Sequence, residues 1–310
     1  MGSGALLLLA GAEALVRGAS ALALRFGVSP LVVGLTVVAI GTSSPELVVS
    51  LQAALAGQGG VAVGNVVGSN VANLGLIVGL SCLLAPMTVD RKLVRNDVPV
   101  MLAAMGAMTL FLLDGSMGRI EGAALALGAV VYTVQAIRTS RRESRAVREV
   151  DLPPEVEAAL AERSVSTGKH LLFVVGGVAL LVYGSDLLLN GAIEAAVRFG
   201  VSEAVIGLTL VALGTSLPEL ATTIVGALRG QGEIALGNAL GSNIFNSLGV
   251  LGPTALVAPI VGAGVGTATL GLMMAFGALT LVILITGGQT RRWEGAVLLA
   301  AYVAYIAYVV

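Results

Sequence analysis

The chain has 310 residues, 56% hydrophobic and 11% charged, with a mean hydropathy of +0.97. Soluble domains carry about 25% charged residues, so this chain has too little charge to cover a water-facing surface and reads as an integral membrane protein. With 17 Lys+Arg against 18 Asp+Glu, the formal charge of -1 gives no net-charge case for nucleic-acid binding, and the single cysteine, Cys82, excludes an intrachain disulfide.

A bilayer-crossing helix needs about 20 mostly apolar residues, whereas a barrel strand needs about 10 that alternate in polarity. No charge falls between Glu46 and Asp90 or between Glu233 and Arg291, and these stretches do not alternate. The prediction is therefore an all-α membrane protein of ten transmembrane helices. In chain order the first five spans are Ala5 to Leu24, Leu31 to Leu55, Val61 to Leu84, Val98 to Leu113 and Ile120 to Ile137. The other five are Leu171 to Val197, Ala204 to Leu228, Ile234 to Val257, Ala268 to Thr286 and Gly295 to Val310. The first run has no basic segment before it and continues through Glu13 and Arg17, so it is expected to be a retained span rather than a cleaved leader. Glu13 and Arg17, four residues apart, are expected to form an ion pair near the outer end of that span, and Trp293, Tyr305 and Tyr308 to anchor the interface.

Residues 138–169 differ in kind, with seven Lys/Arg and six Asp/Glu around Pro153-Pro154. They read as a solvated connector. The organisation is then a five-helix unit over 1–137, a cytoplasmic linker over 138–169 and a second five-helix unit over 170–310.

The two units are copies. Shifted by 173 positions without a gap, Arg25-Phe26-Gly27-Val28-Ser29 falls on Arg198-Phe199-Gly200-Val201-Ser202. Gly41-Thr42-Ser43-Ser44-Pro45-Glu46 meets Gly214-Thr215-Ser216-Leu217-Pro218-Glu219, and Gly64-Asn65 with Gly68-Ser69-Asn70 meets Gly237-Asn238 with Gly241-Ser242-Asn243. From Arg25 to Pro86, 33 of 62 positions are identical to their partners. Five spans is an odd number, so the second copy should enter the membrane from the opposite side. With the linker in the cytoplasm, span counting puts 14 Lys/Arg inside and only Arg119 and Arg198 outside, which is the positive-inside asymmetry. Both termini are then extracytoplasmic. Inverted repeats of this kind place a substrate site near the midplane, between the copies, and work by alternating access.

Glu46 and Glu219 lie within predicted spans. Ser43-Ser44-Pro45-Glu46 also reads as a helix start, with Ser43 as N-cap and Glu46 at the capping-box position. A helix start halfway across a bilayer is itself a broken helix, which survives only buried in protein or lining a cavity. Each ionised carboxylate there costs about 2.5 to 3.5 kcal/mol, and no Lys or Arg lies nearby in the spans; a bound cation or a proton would offset the cost. One span later, Ser69 with Asn73 and Ser242 with Asn246 are each spaced four apart, on one helix face. Ca2+ takes six to eight oxygens from carboxylates, amides, hydroxyls and carbonyls. Glu46, Glu219, Ser43, Ser69, Ser216, Ser242, Asn73 and Asn246 form such an inventory, with breaks at Gly41 and Gly214 freeing carbonyls. One cysteine and one histidine cannot build a Zn or Cu site.

Gly-Thr-Ser-x-Pro-Glu followed by Gly-Asn-x-x-Gly-Ser-Asn, twice, in opposed halves, resembles the alpha-repeats of the sodium/calcium exchanger family within the cation/calcium antiporter superfamily. The resemblance implies ten helices and export of Ca2+ against entering Na+, with no cofactor beyond the transported ions and no obligate protein partner. It implies Glu46 and Glu219 as shared carboxylate ligands, Thr42 and Thr215 with the carbonyls of Ala39 and Ala212 beside them, Ser43, Ser69, Ser216 and Ser242 at flanking Na+ sites, and Asn73 and Asn246 at the centre. Potassium-dependent members typically carry aspartate at the position of Asn246, which argues against potassium co-transport. The alternative is a Ca2+/H+ antiporter, although Gly64-Asn65 is followed here by Val66-Val67-Gly68 instead of the Gly-Asn-x-x-Glu typical of that branch. An intramembrane protease fails on inventory, since the only histidine, His170, sits at the linker edge and Asp186 has no second catalytic aspartate in a suitable motif.

Overall fold

The apolar runs fold as helices in the computed structural model, which describes residues 2–148, 167–198, 212–262, 264–285 and 287–309. They are α1 (Gly2–Phe26), α2 (Pro30–Thr42), α3 (Ser44–Leu55), α4 (Gly59–Leu84), α5 (93–111) and α6 (Arg119–Arg148). The second half has α7 (Thr167–Arg198), α8 (Ala212–Thr215), α9 (Leu217–Leu228), α10 (232–257), α11 (Thr267–Ile285) and α12 (Arg292–Val309). Five of them, α1, α4, α6, α7 and α11, are long and apolar enough to cross a bilayer, and α2 with α3, bent by 44°, makes a sixth. Residues 204–211 of the expected seventh span, and 149–166 of the expected linker, lie outside the described residues. On either side of that linker the helices run further than the apolar pattern predicts, α6 to Arg148 and α7 from Thr167. Arg, Glu and Lys are good helix formers, so loss of hydrophobicity need not end a helix.

Glycines set how close the helices approach. Along α1, Gly4, Gly11 and Gly18 recur every seven residues and lie against α7; a Cβ at Gly11 would sit 2.8 Å from Gly177 O, and one at Gly4 2.8 Å from Gly184 O. Such contact needs residues without side chains. The two halves meet in the same way, α2 against α10, where a Cβ at Gly237 would sit 2.7 Å from Leu31 O and one at Gly34 2.7 Å from Ile234 O.

Contacts recur with the copies exchanged. Strand β1 (Ser116–Met117) pairs antiparallel with β2 (Ile260–Val261), setting Ser116 opposite Val261, and Thr88 bridges Gln289, the same two positions shifted by 173. Glu121 Oε2 accepts the Gly118 N–H at 2.6 Å and Glu294 Oε2 the Arg291 N–H at 2.7 Å, closing the first turns of α6 and α12.

One expectation is extended and one corrected. Glu13 pairs with Arg17 as expected, and it also meets Arg229 Nη2 at 2.8 Å, while Ser20 Oγ donates to Gln231 Oε1 at 2.7 Å. The cluster therefore lies against the α9–α10 turn. Tyr305 is buried, its ring edge-on to Phe276 at 6.1 Å, because it shares the inward face of α12 with Leu298 and Tyr302. Trp293 and Tyr308 are exposed.

Candidate cation site

The breaks follow from proline. Pro45 has no N–H to give to the carbonyl four residues back, which is Gly41 O, and its ring crowds that oxygen. Pro218 does the same to Gly214 O. The helix nevertheless continues through Thr42, so the interruption falls at Ser43 and Ser216 instead of at Gly41 and Gly214. Each freed carbonyl accepts a hydroxyl and keeps a second lone pair. Gly41 O accepts from Ser44 Oγ, and Gly214 O, whose copy has Leu217 in place of Ser44, accepts from Ser185 Oγ of α7 at 2.5 Å. Ala39 O accepts the Ser43 N–H at 2.9 Å. Of Ala212 the structure describes the backbone, at the start of α8; the Ser216 N–H turns to Leu213 O at 3.2 Å.

Ser43 and Ser216 occupy the N-cap positions of α3 and α9, yet neither side chain caps its helix. Each hydroxyl crosses to the other half. Ser43 Oγ donates to Glu219 Oε1 at 3.1 Å and Ser216 Oγ to Glu46 Oε1 at 3.3 Å. Ser69 and Ser242 add their hydroxyls to the same two oxygens, at 3.4 Å from Glu46 and 3.5 Å from Glu219. The capping-box expectation is thereby overturned: the serines that should cap and the glutamates that should reach back bond across the molecule.

Both glutamates are fully buried, with 0% exposure, and Oε2 of each has no hydrogen-bond partner. Among the described residues neither has a basic partner, and no group of three or more His, Cys, Asp and Glu assembles anywhere. Asn73 and Asn246 are also fully buried, and both polar atoms of each amide lack partners. Each opens a π turn, Asn73–Ile77 and Asn246–Val250, where the Val78 and Leu251 N–H groups reach back five residues to the asparagine carbonyls. Such turns gather at functional sites.

Sequence reasoning assigned no role to Asn65 and Asn238. Asn65 Nδ2 donates to Glu46 O at 3.3 Å and to Ser50 Oγ at 3.0 Å, while its Oδ1 accepts from Thr215 Oγ1 at 3.3 Å. Asn238 repeats the pattern with Glu219 O at 3.3 Å, Thr223 Oγ1 at 3.0 Å and Thr42 Oγ1 at 3.1 Å. The signal was present, since both asparagines stand in the duplicated Gly-Asn pair, but spacing gave no reason to link them to the breaks.

The sodium/calcium exchanger protein family model matches residues 1–138 and 169–310, most of the chain. The chain belongs to the sodium/calcium exchanger family. It is 33% identical to the sodium/calcium exchanger MaX1 of Methanosarcina acetivorans, over 98% of this chain and 95% of that one. It is 40% identical to the putative antiporter CaxA of Alkalimonas amylolytica, over 97% and 95% of the two chains. It also resembles the solved structure of the sodium-calcium exchanger NCX_Mj soaked with 2.5 mM Na+ and 0.1 mM Ca2+, at a TM-score of 0.84, 30% identity, and 98% and 95% coverage. Membership of the sodium/calcium exchanger family makes the chain a multi-pass membrane protein and a cation/Ca2+ antiporter, in a family that is not one of enzymes.

Proposed function

We propose that the chain exchanges Ca2+ for Na+ by alternating access, at a site held between two inverted five-helix units, 1–137 and 170–310, joined by a cytoplasmic linker. Glu46 and Glu219 are the carboxylates shared by both ions; Thr42, Ser43, Ser69, Thr215, Ser216, Ser242 and the carbonyls of Ala39 and Ala212 surround them, with Asn73 and Asn246 at the centre. The observation that carries the proposal is the pair of fully buried glutamates with no basic partner, each bonded to the serine at the other half's break. The exchanged contacts Ser116 with Val261 and Gln289 with Thr88 support the two-unit reading.

The coupling follows from charge. With both carboxylates ionised and the site empty, two charges would have to pass through a water-poor state, at several kcal/mol. Filled by one Ca2+ or by Na+ the site is compensated and crosses, so return without cargo is slow and exchange is obligatory. Entry of more than two Na+ per Ca2+ would move net charge and make the rate respond to voltage.

The test is Ca2+ uptake into vesicles loaded with Na+, repeated with a pH gradient alone. The expected result is uptake with the Na+ gradient and none with the pH gradient. Uptake driven by the pH gradient alone would replace Na+ by H+, and uptake indifferent to either gradient would make the protein a channel.

A further inference from the structure

The carboxylates come from separate broken helices, and their separation depends on how the two breaks are held together. Two asparagine amides do this, one from each half. Asn238, on α10, takes the hydroxyl proton of Thr42 from the first half's break and donates its own N–H to Glu219 O at the second half's break. Asn65, on α4, takes the Thr215 proton and donates to Glu46 O. Ser50 and Thr223 accept a further bond from each amide, at 3.0 Å, and fix its orientation. Both asparagines are buried.

We infer that Asn65 and Asn238 are positioning residues for the ion site. Each ties one broken helix to the other, accepting from the threonine of one break and donating to the glutamate carbonyl of the other, and so fixes the distance between the two carboxylates. This inference rests on the reading of the glutamates as Ca2+ ligands.

The experiment measures binding of radioactive Ca2+ to the purified full-length protein without any ion gradient, so that it does not depend on the identity of the counter-ion. Asn65→Ala, Asn238→Ala and the milder Thr215→Val should each weaken Ca2+ binding about tenfold, the effect of losing one well-placed buried hydrogen bond. The double variant Asn65→Ala/Thr215→Val should bind about as Asn65→Ala does, because both changes remove the same bond. In flux assays the half-saturating Ca2+ concentration should rise while the maximal rate per folded molecule changes less than about threefold. Wild-type affinity in the folded single variants, or multiplied losses in the double variant, would overturn the assignment while leaving the glutamates in place. Wild-type protein that binds no Ca2+ would overturn the site and this inference with it.

Discussion

Two kinds of carboxylate sit within the apolar helices, and they are built oppositely. Glu13 on α1 is flanked by Arg17 and Arg229, and its side chain is 25% exposed. Glu46 and Glu219 are fully buried, hold only hydroxyl donors and leave one oxygen each without a partner. A carboxylate with two resident guanidinium groups is neutralised by the protein itself and can only brace it. One surrounded by neutral oxygens has no resident counter-charge, which is what the proposed cation site requires. The protein supplies its own cations at Glu13 and, among the described residues, none at Glu46 or Glu219.

The comparison breaks most directly at the glutamates. Glu46→Gln or Glu219→Gln removes a charged ligand while preserving shape, and Ca2+ transport should fall by at least about a hundredfold, some 2.7 kcal/mol; near-normal flux in both variants would end the account. Stability should move the other way: in ion-free buffer each Gln variant is expected to be at least as stable as wild type, because an uncompensated buried charge is gone. Thermal unfolding checks this. Ca2+ at about 100 times its Kd should stabilise wild type by about 2.7 kcal/mol and the variants far less.

Asn73→Ala and Asn246→Ala come next. Each removes one neutral oxygen from a set of six to eight, so the half-saturating Ca2+ concentration should rise about tenfold with flux retained. Equal effects from the two would fit a central placement of both.

Glu13→Gln should have the smallest effect. Half-exposed ion pairs contribute about 0 to 1 kcal/mol, so the variant should transport Ca2+ normally and lose at most that much stability. Abolished transport with an intact fold would mean that Glu13 belongs to the ion path and that the contrast is false.

Much of the site could be read before any packing was known. The duplicated Gly-Thr-Ser-x-Pro-Glu marked Glu46 and Glu219 because a proline within an apolar run removes the hydrogen bond to the carbonyl four residues back, and the four-residue spacing put Ser69 beside Asn73. What could not be read was which oxygen each group would face. Ser43 looks locally like an N-cap and would be one at a helix start in water; its hydroxyl turns to Glu219 because a buried carboxylate is the stronger acceptor. Asn65 and Asn238 escaped notice for the same reason, as their partners Thr215 and Thr42 stand in the opposite half. Tyr305 was misplaced because a tyrosine near the end of an apolar run can face either lipid or core, and only packing against Phe276 decides.

The amino-acid sequence by itself determined the helical class, the two-copy design and the two acidic residues within the breaks, since composition, period and proline act within a few residues of where they stand. The tertiary structure alone decided that Ser43 and Ser216 each serve the other copy's glutamate, that Arg229 joins Glu13, and that two asparagines tie the breaks together. Those partners are separated by far more chain than any local pattern spans, and close packing of glycine-lined helices is what brings them within hydrogen-bonding distance.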